Sequence, residues 1–322
     1  NLTMKKFLKI TGIILGVILL LILCVAAWIN WGGMPAYEVK PITANIKTDS
    51  LTLAKGQKVA ENICAYCHRG EDGRLSGRLF MKPDSPFGEI WSGNLTKDPK
   101  YGLGRYSDGE LLYLLRTGTK RNGHPAMPFM IMNRMADEDL NALVAYLRSD
   151  APSVEPVATE RTSKLGFLPK ALFKLGAIKP AEYKGEPIIA PQPSDQVAYG
   201  KYLATSLYFC AECHSASFET FDQWDPEKSP GYFGGGNLVE DLEFNPVLSA
   251  NLTPHPEYGI GNWTEEQFRL AVRNGISANG RALSFAMPKF ALLSDEELSA
   301  IWAYLRTVPP LDNQVVREAT GR

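Results

Sequence analysis

Cys64-Ala65-Tyr66-Cys67-His68 and Cys210-Ala211-Glu212-Cys213-His214 are near-copies of one pentapeptide, and they hold four of the chain's five cysteines. A C-x-x-C pair alone is compatible with zinc, a redox disulfide or haem. The His directly after it narrows the chemistry. Two thiols three positions apart on one helical turn can add to the two vinyl groups of a single haem, and the next residue then points its imidazole at the iron. Zinc would need further ligands at suitable spacing, and the other histidines, His124 and His255, form no zinc-like pair. A redox disulfide needs neither the His nor a second copy. The pattern reads as two covalent haem c groups attached through Cys64, Cys67, Cys210 and Cys213, with His68 and His214 on the irons. Five cysteines in 322 residues are also too few for a disulfide scaffold.

The repetition extends well beyond the pentapeptide. NLTKDPKYGLGRYSDGELLYLLRTG (94–118) matches NLTPHPEYGIGNWTEEQFRLAVRNG (251–275) without a gap. AMPF (126–129) then matches AMPK (286–289), and DEDLNALVAYLRS matches DEELSAIWAYLRT. This is one duplicated unit of about 100 residues, too few copies for a solenoid. Each copy reads as three helices joined by loops. The first helix runs into the C-x-x-C-H. The second opens on a capping box, Ser107 with Glu110 or Thr264 with Gln267, and stops at Gly118 or Gly275. The third carries Leu140, Leu143, Val144 and Leu147 on one stripe, repeated as Leu298, Ile301, Trp302 and Leu305, with Ser294 and Glu297 capping the second copy. Strand signals are weak throughout, and the expected class is all-α.

An iron held by one His needs a sixth ligand or an open site. Met127 and Met287 both sit in an Ala-Met-Pro turn just before the third helix. A thioether there suits low-spin iron and raises its potential. His124, three residues from Met127, is the competing ligand at the first site; its counterpart is Arg281, which cannot ligate. Arg116 and Arg273 end the second helix as propionate partners or as cations at a helix C-terminus. Asn94 and Asn251 shape a loop and could donate to a propionate. His255 reads as an exposed loop residue, and Gly234-Gly235-Gly236-Asn237 as a turn, since no Lys-Ser/Thr follows it.

Ile10 to Ile29 is twenty residues without a charge, roughly 30 Å as a helix, which is the thickness of a bilayer core. Lys5, Lys6 and Lys9 precede it, so the expected topology keeps the N-terminus cytoplasmic and places everything after residue 35 outside the cytoplasmic membrane. Trp28 and Trp31 suit an interfacial belt. A cleaved signal peptide would be shorter, and Leu23 before Cys24 is too large for a usual lipobox. Cys24 then reads as an apolar helix residue. The resulting division is an anchor at 1–35, haem units at 45–150 and 195–310, a Pro- and Lys-rich linker at 151–194, and a tail at 311–322. KLGFLPKALFKLGAI, in mid-linker, reads as filler between the units, or else as a segment near the membrane surface.

C-x-x-C-H, then NLTPHPEYGIGNWTEEQF, then AMP, then LVAYLR resembles the class I cytochrome c fold over about 50–150 and 195–310. More narrowly, the chain resembles the membrane-bound cytochrome c subunits of bacterial alcohol and gluconate dehydrogenases. Those typically carry three haem units and are often tethered at the C-terminus, whereas two pentapeptides and an N-terminal apolar run stand here. The resemblance implies a dihaem electron carrier rather than an enzyme, working between a respiratory donor (a dehydrogenase or quinol-oxidising complex) and an acceptor (an oxidase or mobile cytochrome). A dihaem peroxidase has a similar layout but keeps one iron open, which Met127 and Met287 together would forbid. A haem sensor would also need an open iron, and no signalling domain is attached.

A net charge of −1 carries no sign of nucleic-acid binding. It is unevenly spread. Residues 45–150 hold 15 Lys and Arg against 13 Asp and Glu, and residues 195–310 hold 7 against 15. Beyond solubility, this suggests a basic mobile cytochrome docking on the second unit near Glu240, Asp241 and Glu243, and a membrane-held neighbour for the first.

Overall fold

The computed structural model describes residues 2–127 and 131–316. Pro128 and Phe129 of the first Ala-Met-Pro turn, and residues 317–322 of the tail, lie outside them. The chain starts with helix α1 (Leu2–Trp31), whose apolar side chains are exposed from Met4 to Val25. Its Thr3–Trp31 stretch is long and apolar enough to cross a membrane.

The first half follows. Helix α2 (Ser50–Val59) is capped by Asp49, whose carboxylate accepts from the Thr52 amide. It continues through a π-helical turn (Ala60–Cys64) into α3 (Ala65–His68). Strands β1 (Leu79–Met81) and β2 (Gly88–Trp91) form a hairpin. Helix α4 (Asp108–Thr117) has the expected capping box and ends at Gly118, whose φ of 73° needs no Cβ. Helix α5 (Asp137–Arg148) closes the half. Two linker elements come next, β3 (Lys164–Leu165) and α6 (Phe167–Lys174).

The second half repeats the plan. Helix α7 (Gln196–Tyr202) runs into a π-helical turn (Leu203–Leu207) and, after a break, α8 (Cys210–His214). Strands β4 (Leu238–Glu240) and β5 (Pro246–Leu248) pair antiparallel. Helices α9 (Glu265–Asn274) and α10 (Asp295–Leu305) both open on the expected capping boxes.

The all-α expectation holds for the frame, to which short strands are added. Helices form the frame, but β1, β2 and β3 make a three-stranded sheet and β4–β5 a second hairpin. Strands of two to four residues are too short for alternation to register as a period. Both hairpins lie between the pentapeptide and Asn-Leu-Thr, and the extra length in the second copy falls before its hairpin, between His214 and Leu238.

In each half the first and third helices cross at a glycine. A Cβ on Gly56 would lie 1.9 Å from the Ala142 carbonyl oxygen, and one on Gly200 would lie 1.8 Å from that of Ala300. The backbones touch there, which brings the rest of α2 onto α5 and of α7 onto α10. Gly200→Ala is expected to force this crossing apart and to cost about 3 kcal/mol or more. Chemical denaturation of the haem-loaded chain should show it; a loss under about 1 kcal/mol would mean that the crossing yields.

The two halves share one continuous core. Lys58 of α2 pairs with Glu297 of α10 at 2.8 Å. The Tyr202 hydroxyl of α7 donates to Asp139 of α5 and accepts from the Ala136 amide at 2.9 Å. Arg134 donates to the Thr205 carbonyl at 2.7 Å.

Neither connecting segment is loose. The strap after α1 runs along the first half: the Tyr37 amide donates to Gly123, the Ile42 amide to Gly109, and the Tyr113 hydroxyl to the Glu38 carbonyl. The mid-linker does not fill the space between the halves. It adds β3 to the edge of β2 and then packs α6 on the end of α1.

Candidate haem sites

In the first half the π turn ends on Cys64, and α3 carries Cys67 and His68 on the next helical turn. In the second half Phe209 adopts a left-handed backbone, φ 55°, and α8 restarts at Cys210. Counted from the crossing glycines, the second pentapeptide begins two residues later than the first. This break absorbs the difference.

Both histidines are held alike. His68 Nδ1 donates to the Gly93 carbonyl at 2.7 Å, and His214 Nδ1 to the Ala250 carbonyl at 2.8 Å. A carbonyl can only accept, so the proton sits on Nδ1 and the lone pair on Nε2. That is the tautomer an iron ligand requires. The acceptor in each case is the residue before Asn-Leu-Thr. Burial pushes the His68 pKa down, which keeps the ring neutral.

All four pentapeptide thiols are unbridged. Burial, as the main cause, pushes Cys64, Cys210 and Cys213 up to about 12 and Cys67 up to about 11. A redox C-x-x-C needs a lowered thiol pKa instead. Among the described residues no group of three or more His, Cys, Asp and Glu could hold a metal ion, so zinc lacks a ligand set. Paired thiols beside an imidazole of the right tautomer fit haem c.

Asn94 and Asn251 turn out to act on backbone. The Asn94 amide donates to the Val157 and Thr159 carbonyls, and its oxygen accepts from the Thr96 amide and hydroxyl. Asn251 does the same with Leu311, Asn313 and Thr253. Each clamps the segment that follows the third helix to the loop holding the histidine's acceptor. Arg116 is buried and donates to the Met132 and Met135 carbonyls and to Asp137; Arg273 donates to Leu293 and Asp295. Both arginines tie the second helix to the start of the third.

Met127 and Met287 are half-buried, each on the loop between the second and third helices. They are not in the same register. The Ala126 amide donates to Gly118 as the Leu283 amide does to Gly275, and Met132 bonds Leu115 as Phe290 bonds Val272. Met127 therefore follows the first of these bonds by one residue, and Met287 by four. The His124 ring is engaged with the strap: its Nδ1 donates to the Pro35 carbonyl at 3.0 Å.

The two pentapeptides lie near each other: Cys67 adds to the upward shift of Cys213, after burial, Glu212 and Cys210, and Cys67 and Cys213 both add to that of Tyr66, after burial. The Tyr66 hydroxyl reaches the Glu240 carbonyl at 3.3 Å. Arg78 donates to the Leu242 carbonyl at 2.9 Å, and Lys82 lies 4.5 Å over the Phe244 ring. The β4–β5 turn is thus docked on the first half beside Cys67. Glu212, buried inside the second pentapeptide, is raised to about 7 by burial, which Arg134 partly offsets.

The sequence reading overlooked the carbonyls of Gly93 and Ala250, and the crossing glycines. The latter had a signal: Ala54-x-Gly56-x-x-x-Ala60 recurs as Ala198-x-Gly200-x-x-x-Ala204.

Residues 53–150 match the family model described as Cytochrome c. That segment is a cytochrome c domain. The whole chain is similar to cytochrome c subunits of dehydrogenases. It is 29% identical over 282 residues to the alcohol dehydrogenase (quinone) cytochrome c subunit of Gluconacetobacter polyoxogenes, covering 82% of this chain and 57% of that protein. It is 29% identical over 284 residues to the fructose dehydrogenase cytochrome subunit of Gluconobacter japonicus, covering 85% and 56%. A diheme cytochrome c-type protein of Cereibacter sphaeroides is 25% identical over 256 residues, covering 77% and 83%. The chain spans a little over half the length of the first two.

Proposed function

We propose that the chain is a membrane-anchored dihaem c-type cytochrome that takes single electrons from a respiratory donor, a dehydrogenase before others, and hands them to an acceptor in the same membrane system. The observation that carries this reading is the pairing of two like sites. Each has a C-x-x-C-H whose His gives Nδ1–H to the carbonyl before Asn-Leu-Thr, and Tyr66 of the first motif reaches the Glu240 carbonyl of the second half.

When bound, each haem c supplies a one-electron ferric/ferrous couple. The protein does the rest. Cys64 with Cys67, and Cys210 with Cys213, provide the attachment thiols. His68 and His214 present Nε2, and the carbonyls of Gly93 and Ala250 fix the rings and strengthen them as donors. Met127 and Met287 would supply a thioether sulfur to each iron and so keep peroxide and other small ligands off it. With α1 across the membrane and the lysines before it inside, both sites lie on the extracytoplasmic face. The similarity to subunits of alcohol, fructose and gluconate dehydrogenases supports a dehydrogenase as donor. The relatives give no support to a basic mobile cytochrome at the second half; the turn there packs its Leu242 carbonyl and Phe244 ring against Arg78 and Lys82, and Glu240 and Glu243 stay exposed.

The test uses membranes of the native host with and without the chain. Alcohols, fructose and gluconate are added in turn under anaerobic conditions, and haem c reduction is followed optically. At least one substrate should reduce the chain's haems, and deleting the chain should block electron flow from that substrate to oxygen. If the haems instead stay oxidised with every substrate and the purified chain consumes hydrogen peroxide, the dihaem peroxidase reading replaces this one.

A further inference from the structure

The end of α1 is not bare. Lys174 of α6 donates its ammonium protons to the carbonyls of Trp28 and Ile29, both at 2.8 Å, and to that of Gly32. Trp28 and Ile29 lie in the last turn of α1 and Gly32 directly after it, where the helix dipole is negative, and the Trp28 carbonyl also accepts from the Gly32 amide. The same ammonium lies 5.5 Å from the centre of the Trp28 ring. Ile29, unlike the rest of the apolar run, is buried, as are Pro169 and Phe173 on one side of α6.

The other side of α6 is just as apolar and has no protein over it. Phe167, Leu168 and Leu175 are 48%, 40% and 65% exposed. Phe167, Ala171 and Leu175 are spaced i, i+4, i+8, so they share one face. A helix apolar on both sides belongs in a core or in lipid. Among the described residues no core reaches this face, and the surface it continues is that of α1, whose apolar side chains are exposed from Met4 to Val25. Charge points the same way. From Arg161 to Ala181 the chain carries Arg161, Lys164, Lys170, Lys174 and Lys179 and no carboxylate. Among the described residues, Lys164 alone of these five pairs with a carboxylate, Glu89 at 3.3 Å.

We propose that α6 is an interfacial helix, lying in the headgroup layer of an anionic bilayer with Phe167, Leu168 and Leu175 among the acyl chains and Lys170 and Lys179 at the phosphates. Apolar side chains flanked by lysines bind such a surface by burial plus attraction to anionic lipid. The inference rests on α1 spanning the membrane, and it adds a mechanical consequence. Strand β3 pairs Leu165 and Lys164 with Gly88 and Glu89 of β2, and the Gly166 amide donates to Phe87. The first half is thereby fixed to the bilayer at two points, the strap and α6, and its haem site is held at one height and orientation above the membrane rather than swinging on a tether.

The experiment uses the full haem-loaded chain with Cys24→Ser, in nanodiscs of phosphatidylglycerol and phosphatidylcholine. Nitroxide labels are placed singly through Phe167→Cys, Leu175→Cys and, as an exposed control on β4, Leu238→Cys. Power saturation should show labels 167 and 175 relaxed more by oxygen than by a water-soluble nickel chelate, with the reverse at 238. Lys170→Gln with Lys179→Gln, or discs of phosphatidylcholine alone, should raise nickel access at 175 at least threefold. An unchanged visible spectrum confirms that each variant is folded. Labels at 167 and 175 that behave like 238, in a chain that still resists carbonate extraction from membranes, overturn the proposal and leave the span standing. Release of the chain by carbonate overturns both. Dry labels indifferent to lysine removal and to lipid charge overturn the anionic-lipid assignment.

Discussion

Replacing Cys210 and Cys213 together with Ser is expected to lower the covalent haem content from two per chain to one. Thioether bonds need a sulfur nucleophile, and a serine hydroxyl does not add to a vinyl group. The substitution is nearly isosteric and leaves His214 and its bond to Ala250 in place, so it removes attachment while preserving the imidazole. The expected damage extends past the count. Cys210 packs against the common core to which Leu207, Tyr208 and Phe290 belong, so losing the group attached there should reach into that core. The second half should therefore melt earlier than the first, and the single-Cys variants, which keep one thioether, should fall between. Pyridine haemochrome per chain reads the count directly. Two haems remaining in the double variant would sink the attachment assignment at the second pentapeptide.

Legibility in the sequence followed how local the governing interaction is. The capping boxes at Ser107, Thr264 and Ser294 and the left-handed glycines at 118 and 275 each depend on three or four neighbouring residues, and all are present as read. The pentapeptides were equally plain, because thiols and imidazole must sit on one helical turn. What escaped was set at a distance. Gly93 and Ala250 act through backbone oxygen, which no side-chain pattern advertises. The roles of Asn94 and Asn251 were half legible: the loop was expected, but their donation to residues about sixty positions away was not. The strands were invisible because two to four residues cannot establish a period. Composition marks the acidic turn at 240–243 but cannot show that its Leu242 carbonyl and Phe244 ring rest on Arg78 and Lys82 while Glu240 and Glu243 stay exposed. The linker helix was misplaced for a related reason. Its apolar residues called for burial, and only the fold shows that the end of α1 supplies one side of it.

The sixth ligands are the assignment with most at stake. Met287→Ala is expected to open the second iron, because an alanine methyl cannot coordinate. The reduced protein should then bind carbon monoxide fully at one haem, and that haem's potential should fall by on the order of 0.1 V or more, a fraction of the roughly 0.8 V over which axial ligation sets haem potentials. Met127→Ala should do the same at the first iron. That second case is the sharper test, since Met127 and Met287 occupy different registers between their bracketing hydrogen bonds, and the repetition of Ala-Met-Pro does not by itself put both sulfurs at the same place. His124 is the rival. Its Nδ1 proton is given to Pro35, which leaves Nε2 the basic nitrogen but ties the ring to the strap that runs on to Gly123 and Gly109. With Met127 as ligand, His124→Ala should loosen the strap while leaving the spectrum and potential of the first haem unchanged, and Met127→Ala should abolish the weak far-red absorption characteristic of methionine on ferric iron at that site. The opposite pattern, with His124→Ala shifting the potential and opening the iron while Met127→Ala is silent, would make the first site bis-histidine and would place its potential below that of the second. Carbon monoxide binding by the unsubstituted protein at either haem would show that one thioether is not on its iron at all.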